Sequence, residues 1–295
     1  MSVRPAHQTN WDFRAAANFI FGGSGSGLML AAALLALIGE HAVAYALLAA
    51  LFVVAGLLMV WLEIGRPLRF TNVFLKPGKS WMTREAYLAT ALVPLGALAY
   101  FLASRPLLLA AALFAAAFLY AQARILKASK GIPAWRVAEI VPLVVATGLT
   151  EGVAIVLILS PLSSSETHPV PSLWIWIAAG LLVLFRGVAW VRYWRRLCTG
   201  APSSTITALE PVNAMLLILG LTLPLLLVIA GIWSSGYQVY IALATGLFML
   251  LPGWICKFSI ITRAAFTQGY AIPHSPARGG GIAGPGAKPG WRIPQ

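Results

Sequence analysis

The chain has 295 residues, of which 60% are hydrophobic and only 10% charged, with a formal net charge of +13. A soluble domain of this size carries about 25% charged residues to solvate its surface, so composition and a mean hydropathy of +0.84 exclude an ordinary water-soluble fold. The positive excess does not point to nucleic acid either: Lys and Arg fall between apolar runs, where they orient helices in a bilayer.

Met1 to Phe13 lacks the basic, apolar and small-residue succession of a cleaved signal peptide, so the first apolar run is kept as a helix. A bilayer core takes about 20 mostly apolar residues per helix. Eight such stretches follow in order, at 16–38, 43–62, 86–103, 107–123, 137–160, 172–193, 210–234 and 237–256. The predicted fold class is an all-α membrane protein, a bundle of about eight transmembrane helices. Residues 1–15 form an N-terminal segment, 16–256 the membrane domain, 257–274 a juxtamembrane segment and 275–295 a disordered Gly/Pro-rich tail.

The joints fix the topology. Residues 39–42, 104–106 and 235–236 leave room only for tight hairpins, and 161–171 is rich in Ser and Pro without Lys or Arg. The joints 63–85, 124–136 and 194–209 are long and basic, and they share a side with both termini. That side, from Arg4 through Arg66, Arg84, Arg136, Arg196 and Lys257 to Arg292, carries nineteen basic residues; Arg105 alone lies opposite. The positive-inside rule places the basic side, with both termini, in the cytoplasm, and the protein in the inner membrane as a multi-pass chain.

Several chemistries are excluded. The histidines, His7, His41, His168 and His274, all fall in tails or joints, so no transmembrane pair is placed to hold haem. Cys198 and Cys256 are too few for an iron–sulfur cluster in this chain. No Walker A, HExxH or CxxC pattern occurs. The run Gly22-Gly23-Ser24-Gly25-Ser26-Gly27 lies inside an apolar helix rather than between a strand and a helix. It reads first as close helix packing by small residues, and otherwise as a bare backbone face for a flat ligand.

Ionisable groups inside the hydrocarbon cost about 2.5–3.5 kcal/mol each on insertion scales. Glu151 sits in the middle of the fifth span, either as a hydrogen-bonded acid facing neighbouring helices or as part of a proton pathway. Arg186, in the cytoplasmic third of the sixth span, is expected to snorkel to the interface. More polar groups gather at the cytoplasmic ends of the helices: Asn18, Glu63, Arg66, Arg84, Glu85, Tyr120, Gln122, Arg124, Glu139, Glu210 and Asn213. Singly, each is a solvated helix end, with acids suiting helix N-termini. Together they make a polar collar that fits a quinone headgroup, its apolar tail running between helices.

The joint between spans two and three reads Leu62-Glu63-Ile64-Gly65-Arg66-Pro67-Leu68-Arg69, then Lys79-Ser80-Trp81-Met82-Thr83-Arg84-Glu85-Ala86. It resembles the GRP…SWMSRE pattern of the polytopic anchor subunits of molybdopterin oxidoreductases, the DMSO reductase anchor and NrfD-type family. Asn18 and the glycine run after it are similar to that family's first span, and the resemblance covers essentially all of the membrane part. It implies a complex of three parts: a molybdopterin catalytic subunit, a ferredoxin-like iron–sulfur subunit, and this anchor exchanging electrons with ubiquinone or menaquinone. The anchor is then not catalytic alone. By the matching motifs Asn18, Arg84 and Glu85 line or support the quinone pocket, with Glu85 as proton donor. Where family members use a polar residue after span two, this chain has Glu63 and Arg66 and no histidine. Within the family, Trp11-Asp12-Phe13-Arg14-Ala15-Ala16-Ala17-Asn18-Phe19-Ile20 is similar to anchors of phenylacetyl-CoA:acceptor oxidoreductases. A rival reading from the residues alone is a small secondary transporter with Glu151 as its coupling acid. Transporters of that kind show broken helices in related halves, and Pro142, Pro224 and Pro252 do not pair into such a repeat.

Overall fold

The computed structural model describes residues 2–40, 42–63, 80–160, 171–234 and 236–271. Arg66 and most of the joint motif, His168, and the tail beyond residue 271 lie outside them. Within the described residues the chain is a helical bundle, as its composition requires. Its helices are α1 Phe13–Leu37, α2 Ala44–Glu63, α3 Trp81–Phe101, α4 Arg105–Ala128, the single turn α5 Pro133–Arg136, α6 Ile140–Leu159, α7 Leu173–Cys198, α8 Ser203–Leu217, α9 Leu223–Trp233 and α10 Gln238–Phe258. A π-helical turn, Ile218–Thr222, joins α8 to α9 without a break, and another, Ser259–Arg263, prolongs α10.

Seven of these helices, counting α8 and α9 as one, are long and apolar enough to cross a membrane. The remaining long helix is α3, whose first turns carry Arg84 and Glu85 and dilute its hydropathy. It has 21 residues, about 31 Å at 1.5 Å per residue. Packed between α2 and α4, it runs from the end where α1 begins to the end where α4 begins. Each of the eight stretches expected from hydropathy is therefore helical, with shifted ends. Helix α3 starts at Trp81 rather than 86, because the Ser80 hydroxyl caps it by accepting from the Met82 amide at 3.2 Å. Helix α7 runs on to Cys198 and α8 begins at Ser203, so the 194–209 joint is mostly helix.

Helix α1 is the central element and packs against α2, α4, α6 and α10. Asp12 caps it, accepting from the Arg14 amide at 2.8 Å, and the Arg14 guanidinium beside Asp12 holds that carboxyl below its usual range. Arg14 also donates to the Leu62 carbonyl at 2.8 Å, tying the start of α1 to the end of α2. The glycine run is fully buried in α1. A β-carbon on Gly25 would meet the Ala49 carbonyl of α2, and one on Gly27 the backbone of Gly148 and Gly152 on α6. The small-residue packing read from the sequence is what the bundle contains.

The two ends of the described residues lie on one face, together with the 124–136 and 194–209 joints. The short strand β1, Ser2–Val3, pairs antiparallel with β2, Tyr270–Ala271, Ser2 opposite Ala271 and Val3 opposite Tyr270. Trp11 stacks on Trp135 of α5 with ring centroids 4.8 Å apart. Trp135 Nε1 donates to the Ile260 carbonyl at 2.9 Å, Tyr193 to the Ala134 carbonyl at 3.0 Å, and Thr205 to the Ala264 carbonyl at 3.2 Å. The 124–136 and 194–209 joints thus share a face with β1 and β2.

Candidate functional site

On the terminal face, α1, α2 and α3 diverge around a cavity of about 740 Å³. The size falls in the range of small-molecule sites, about 300–1,000 Å³. Its walls are apolar and aromatic, Trp11, Phe19, Trp61, Met82 and Val93 among them, and its polar groups are Asn18, Glu63, Glu85 and Thr90. Each is placed by helix geometry: Glu63 ends α2, Asn18 lies in the second turn of α1, and Glu85 in the second turn of α3. Pro94, within α3, has no N–H to give the Thr90 carbonyl, and both residues line the cavity.

Glu85 is buried, and Asn18 Nδ2 donates to its Oε1 at 3.3 Å. Gln122 of α4, fully buried behind Asn18, donates from Nε2 to the Asn18 carbonyl at 3.1 Å. Asn18 Oδ1 and Gln122 Oε1 have no hydrogen-bond partner. An unpaired buried acceptor costs about 1–3 kcal/mol, so these atoms mark where a donor is expected to arrive.

The sequence-derived candidates divide. Asn18, Glu63 and Glu85 meet at the cavity, and Gln122 supports them. Arg84 and Tyr120 do not line it. Adjacent helical positions point about 100° apart, so Arg84, next to Glu85, is exposed and holds its guanidinium 4.2 Å from the Trp81 ring centre. Arg124 lies 4.5 Å from the same ring and donates to the Tyr120 hydroxyl at 2.6 Å. Glu139 stands at the start of α6, away from the cavity, its Oε2 buried without a partner. Arg66 lies outside the described residues.

Deeper in the bundle, Glu151 is fully buried and paired with Lys257, whose Nζ stands 2.6 Å from Glu151 Oε2. The same carboxylate oxygen accepts from Ser24 at 2.8 Å, and Trp254 Nε1 donates to the Ser24 hydroxyl at 2.9 Å. Lys257 also donates to the Phe19 carbonyl at 3.1 Å. Two sequence expectations are corrected here. Lys257 was counted with the solvated basic face, but it is only 3% exposed. The helix runs beyond it through Phe258 and the apolar turn Ser259–Arg263, which carries the lysine inside; the apolar Phe258, Ile260 and Ile261 that follow it were the available signal. Arg186 does not snorkel. It is 1% exposed and donates to the Met249 carbonyl at 2.5 Å and the Gly220 carbonyl at 2.6 Å. The π turn at Ile218–Thr222 disturbs the regular helical ladder at Gly220, giving the guanidinium an acceptor inside the bundle.

Arg186 and Glu151 also approach each other, contrary to their expected depths. A β-carbon on Gly253 would lie 2.8 Å from Glu151 Oε1 and 3.3 Å from Arg186 Nη1. A larger residue at 253 would wedge them apart. Among the described residues no group of three or more His, Cys, Asp or Glu side chains is arranged to hold a metal ion. No protein-family model matches the chain, and no curated protein matches it.

Proposed function

We propose that this chain is the membrane anchor and quinone-reactive subunit of a molybdopterin/iron–sulfur oxidoreductase of the DMSO reductase anchor and NrfD type. In that role it passes electrons between a ferredoxin-like iron–sulfur subunit and the membrane quinone pool. The observation that carries the reading is the cavity at the ends of α1, α2 and α3, with Glu85 and Asn18 in its wall. Its volume accepts a quinone headgroup and part of an isoprenoid tail. Trp11 and Trp61 offer flat surfaces, the Asn18 amide offers a donor to a carbonyl oxygen, and the Glu85 carboxyl offers a proton. A bound quinone supplies two-electron, two-proton redox chemistry; the chain's own groups orient it, exclude water and exchange protons.

The anchor's basic face is proposed to be cytoplasmic, in the inner membrane. Arg4, Arg14, Arg84, Arg124, Lys127, Lys130, Arg136, Arg192, Arg195, Arg196 and Arg263 are the described residues that would form it. It suits docking of an acidic iron–sulfur subunit beside the cavity, with the molybdopterin subunit beyond.

The rival transporter reading needs a substrate cavity at Glu151. Around that carboxylate the space is taken by Ser24, Lys257 and the close approach of Gly253, and the cavity lies elsewhere, at Glu85. The test is quinone binding to the purified chain, followed by quenching of tryptophan fluorescence. Saturable quenching that Val93→Phe abolishes by filling the cavity supports the reading, and quenching indifferent to that substitution sinks it.

A further inference from the structure

Two arginines from neighbouring helices meet on one indole. Trp81 is the first residue of α3, which packs against α4. The Arg84 guanidinium, a turn further along α3, lies 4.2 Å from the Trp81 ring centre, and that of Arg124, from α4, lies 4.5 Å from it. The two guanidinium carbons are therefore within about 9 Å of each other. Tyr120, a turn before Arg124, stands edge-to-face with Trp81, ring centroids 5.9 Å apart, and its hydroxyl accepts from Arg124 at 2.6 Å. Like charges held this close repel, and among the described residues no carboxylate forms an ion pair with Arg124. The cluster is complementary to an anion.

Spacing and depth narrow the anion. Two guanidinium forks that share one phosphate hold their carbons about 4 Å from its phosphorus, so up to about 8 Å apart. Each fork carries five N–H donors, of which Arg124 uses one on Tyr120. Arg84 lies in the first turn of α3 and Arg124 about a turn from the end of α4, and Trp and Tyr beside them are the residues that favour the membrane–water interface. Below the arginines both helices turn apolar surface outward. Residues seven apart share a helix face: Arg84, Ala91 and Leu98 on α3, and Leu113 and Tyr120 on α4. Leu98, Leu113 and Tyr120 are all exposed. A phosphate that carries acyl chains covers both the charges and these stripes. An acidic protein seated on the end of the bundle would leave the stripes bare.

We propose that Arg84 and Arg124, assembled on Trp81 and Tyr120, hold the phosphate of an anionic phospholipid whose acyl chains lie along the exposed stripes of α3 and α4. Basic sites between transmembrane helices recognise anionic headgroups in this way. A zwitterionic headgroup brings its own cation against two guanidiniums and is disfavoured. The bound lipid steadies the start of α3, the helix that holds Glu85 in the cavity wall. The site stands on its own geometry and does not need the quinone reading.

The test is native mass spectrometry of the purified chain in detergent, titrated with dioleoylphosphatidylglycerol or dioleoylphosphatidylcholine. The native chain should retain one phosphatidylglycerol in clear preference to phosphatidylcholine; equal retention of the two would overturn the proposal without recourse to any variant. Arg84→Gln and Arg124→Gln should each weaken phosphatidylglycerol retention about fivefold, the effect of one cation at an anionic headgroup, and the double variant should bring it to the phosphatidylcholine level. Arg195→Gln/Arg196→Gln removes the same charge elsewhere on the basic face and should retain the lipid as the native chain does. Equal loss in both double variants would mean diffuse attraction to the whole face and sink the site. Retention unchanged in Arg84→Gln/Arg124→Gln would leave the two arginines to an acidic protein partner. Inorganic phosphate in excess should not displace the lipid, because it has no chains to lay on the stripes; displacement would make this a site for free phosphate and overturn the lipid.

Discussion

Gly27 of α1 and Gly148 of α6 meet backbone to backbone: a β-carbon on Gly27 would collide with the Gly148 carbonyl group. One on Gly152, a turn further along α6, would collide with the Gly27 carbonyl. Without a hydrophobic force between helices in lipid, such close approach is a main source of association. Gly27→Ala should therefore lower the thermal stability of the purified chain by at least about 1–3 kcal/mol, the usual cost of overpacking. Gly131→Ala, whose β-carbon meets nothing within 4 Å, serves as the control and should stay within about 0.5 kcal/mol. Equal melting curves for the two variants would show that the helices move apart at no cost.

Arg186 spans two carbonyls on different helices, Met249 of α10 and Gly220 in the π turn after α8. A lysine keeps the charge but presents one ammonium where the guanidinium presents a fork. Arg186→Lys should leave one buried carbonyl unsatisfied and cost about 1–3 kcal/mol in thermal unfolding in detergent. A melting temperature equal to native would mean that the lysine reaches both acceptors.

Glu85→Gln preserves shape and removes the proton. The variant should insert, bind quinone and hold its partners, yet lose about tenfold in quinone-dependent turnover, about 1.4 kcal/mol in barrier terms. Activity of the complex with an artificial acceptor, which takes electrons from the soluble subunits, should survive. Unchanged quinone turnover would leave Glu85 as a buried acid holding Asn18 in place.

Orientation is tested by reporter fusions. Fusions after Arg136 and Arg196, both on the terminal face, should read cytoplasmic. One within 163–168, outside the described residues, should read external. The reverse pattern would move the docking face, and any catalytic subunit on it, across the membrane.

The spans were legible because the bilayer sets a length and apolar runs of that length are rare by accident. Their ends were less so. Ser80 moved the start of α3 upstream, and nothing in hydropathy registers a hydroxyl that caps a helix. Asn18 and Glu85 were legible as polar groups at matching depth on neighbouring spans, and the structure joins them by a hydrogen bond. Lys257 and Arg186 were misread for one reason: a cation near the end of a span snorkels by default, and only tertiary contacts overrule that. Their acceptors, Glu151 and the carbonyls of Phe19, Met249 and Gly220, come from four other segments of the chain. Arg84 and Tyr120 shared the depth of the cavity but not its direction, and facing is settled by helix rotation rather than by position in a span.

The bond from Lys257 to the Phe19 carbonyl joins residues 238 apart, and it bears on how the protein is made. The ribosome delivers α1 first and α10 near the end, yet α1 is the core against which α2, α4, α6 and α10 pack. Until α6 and α10 have entered the membrane, Ser24 has neither Glu151 nor Trp254, and Glu151 then waits for its lysine. Contacts so distant in sequence close slowly. A nascent chain halted before α10 carries Glu151 bonded to Ser24 but without its lysine. Closure of β1 on β2 follows only once α10 is seated, because β2 comes after it in the chain.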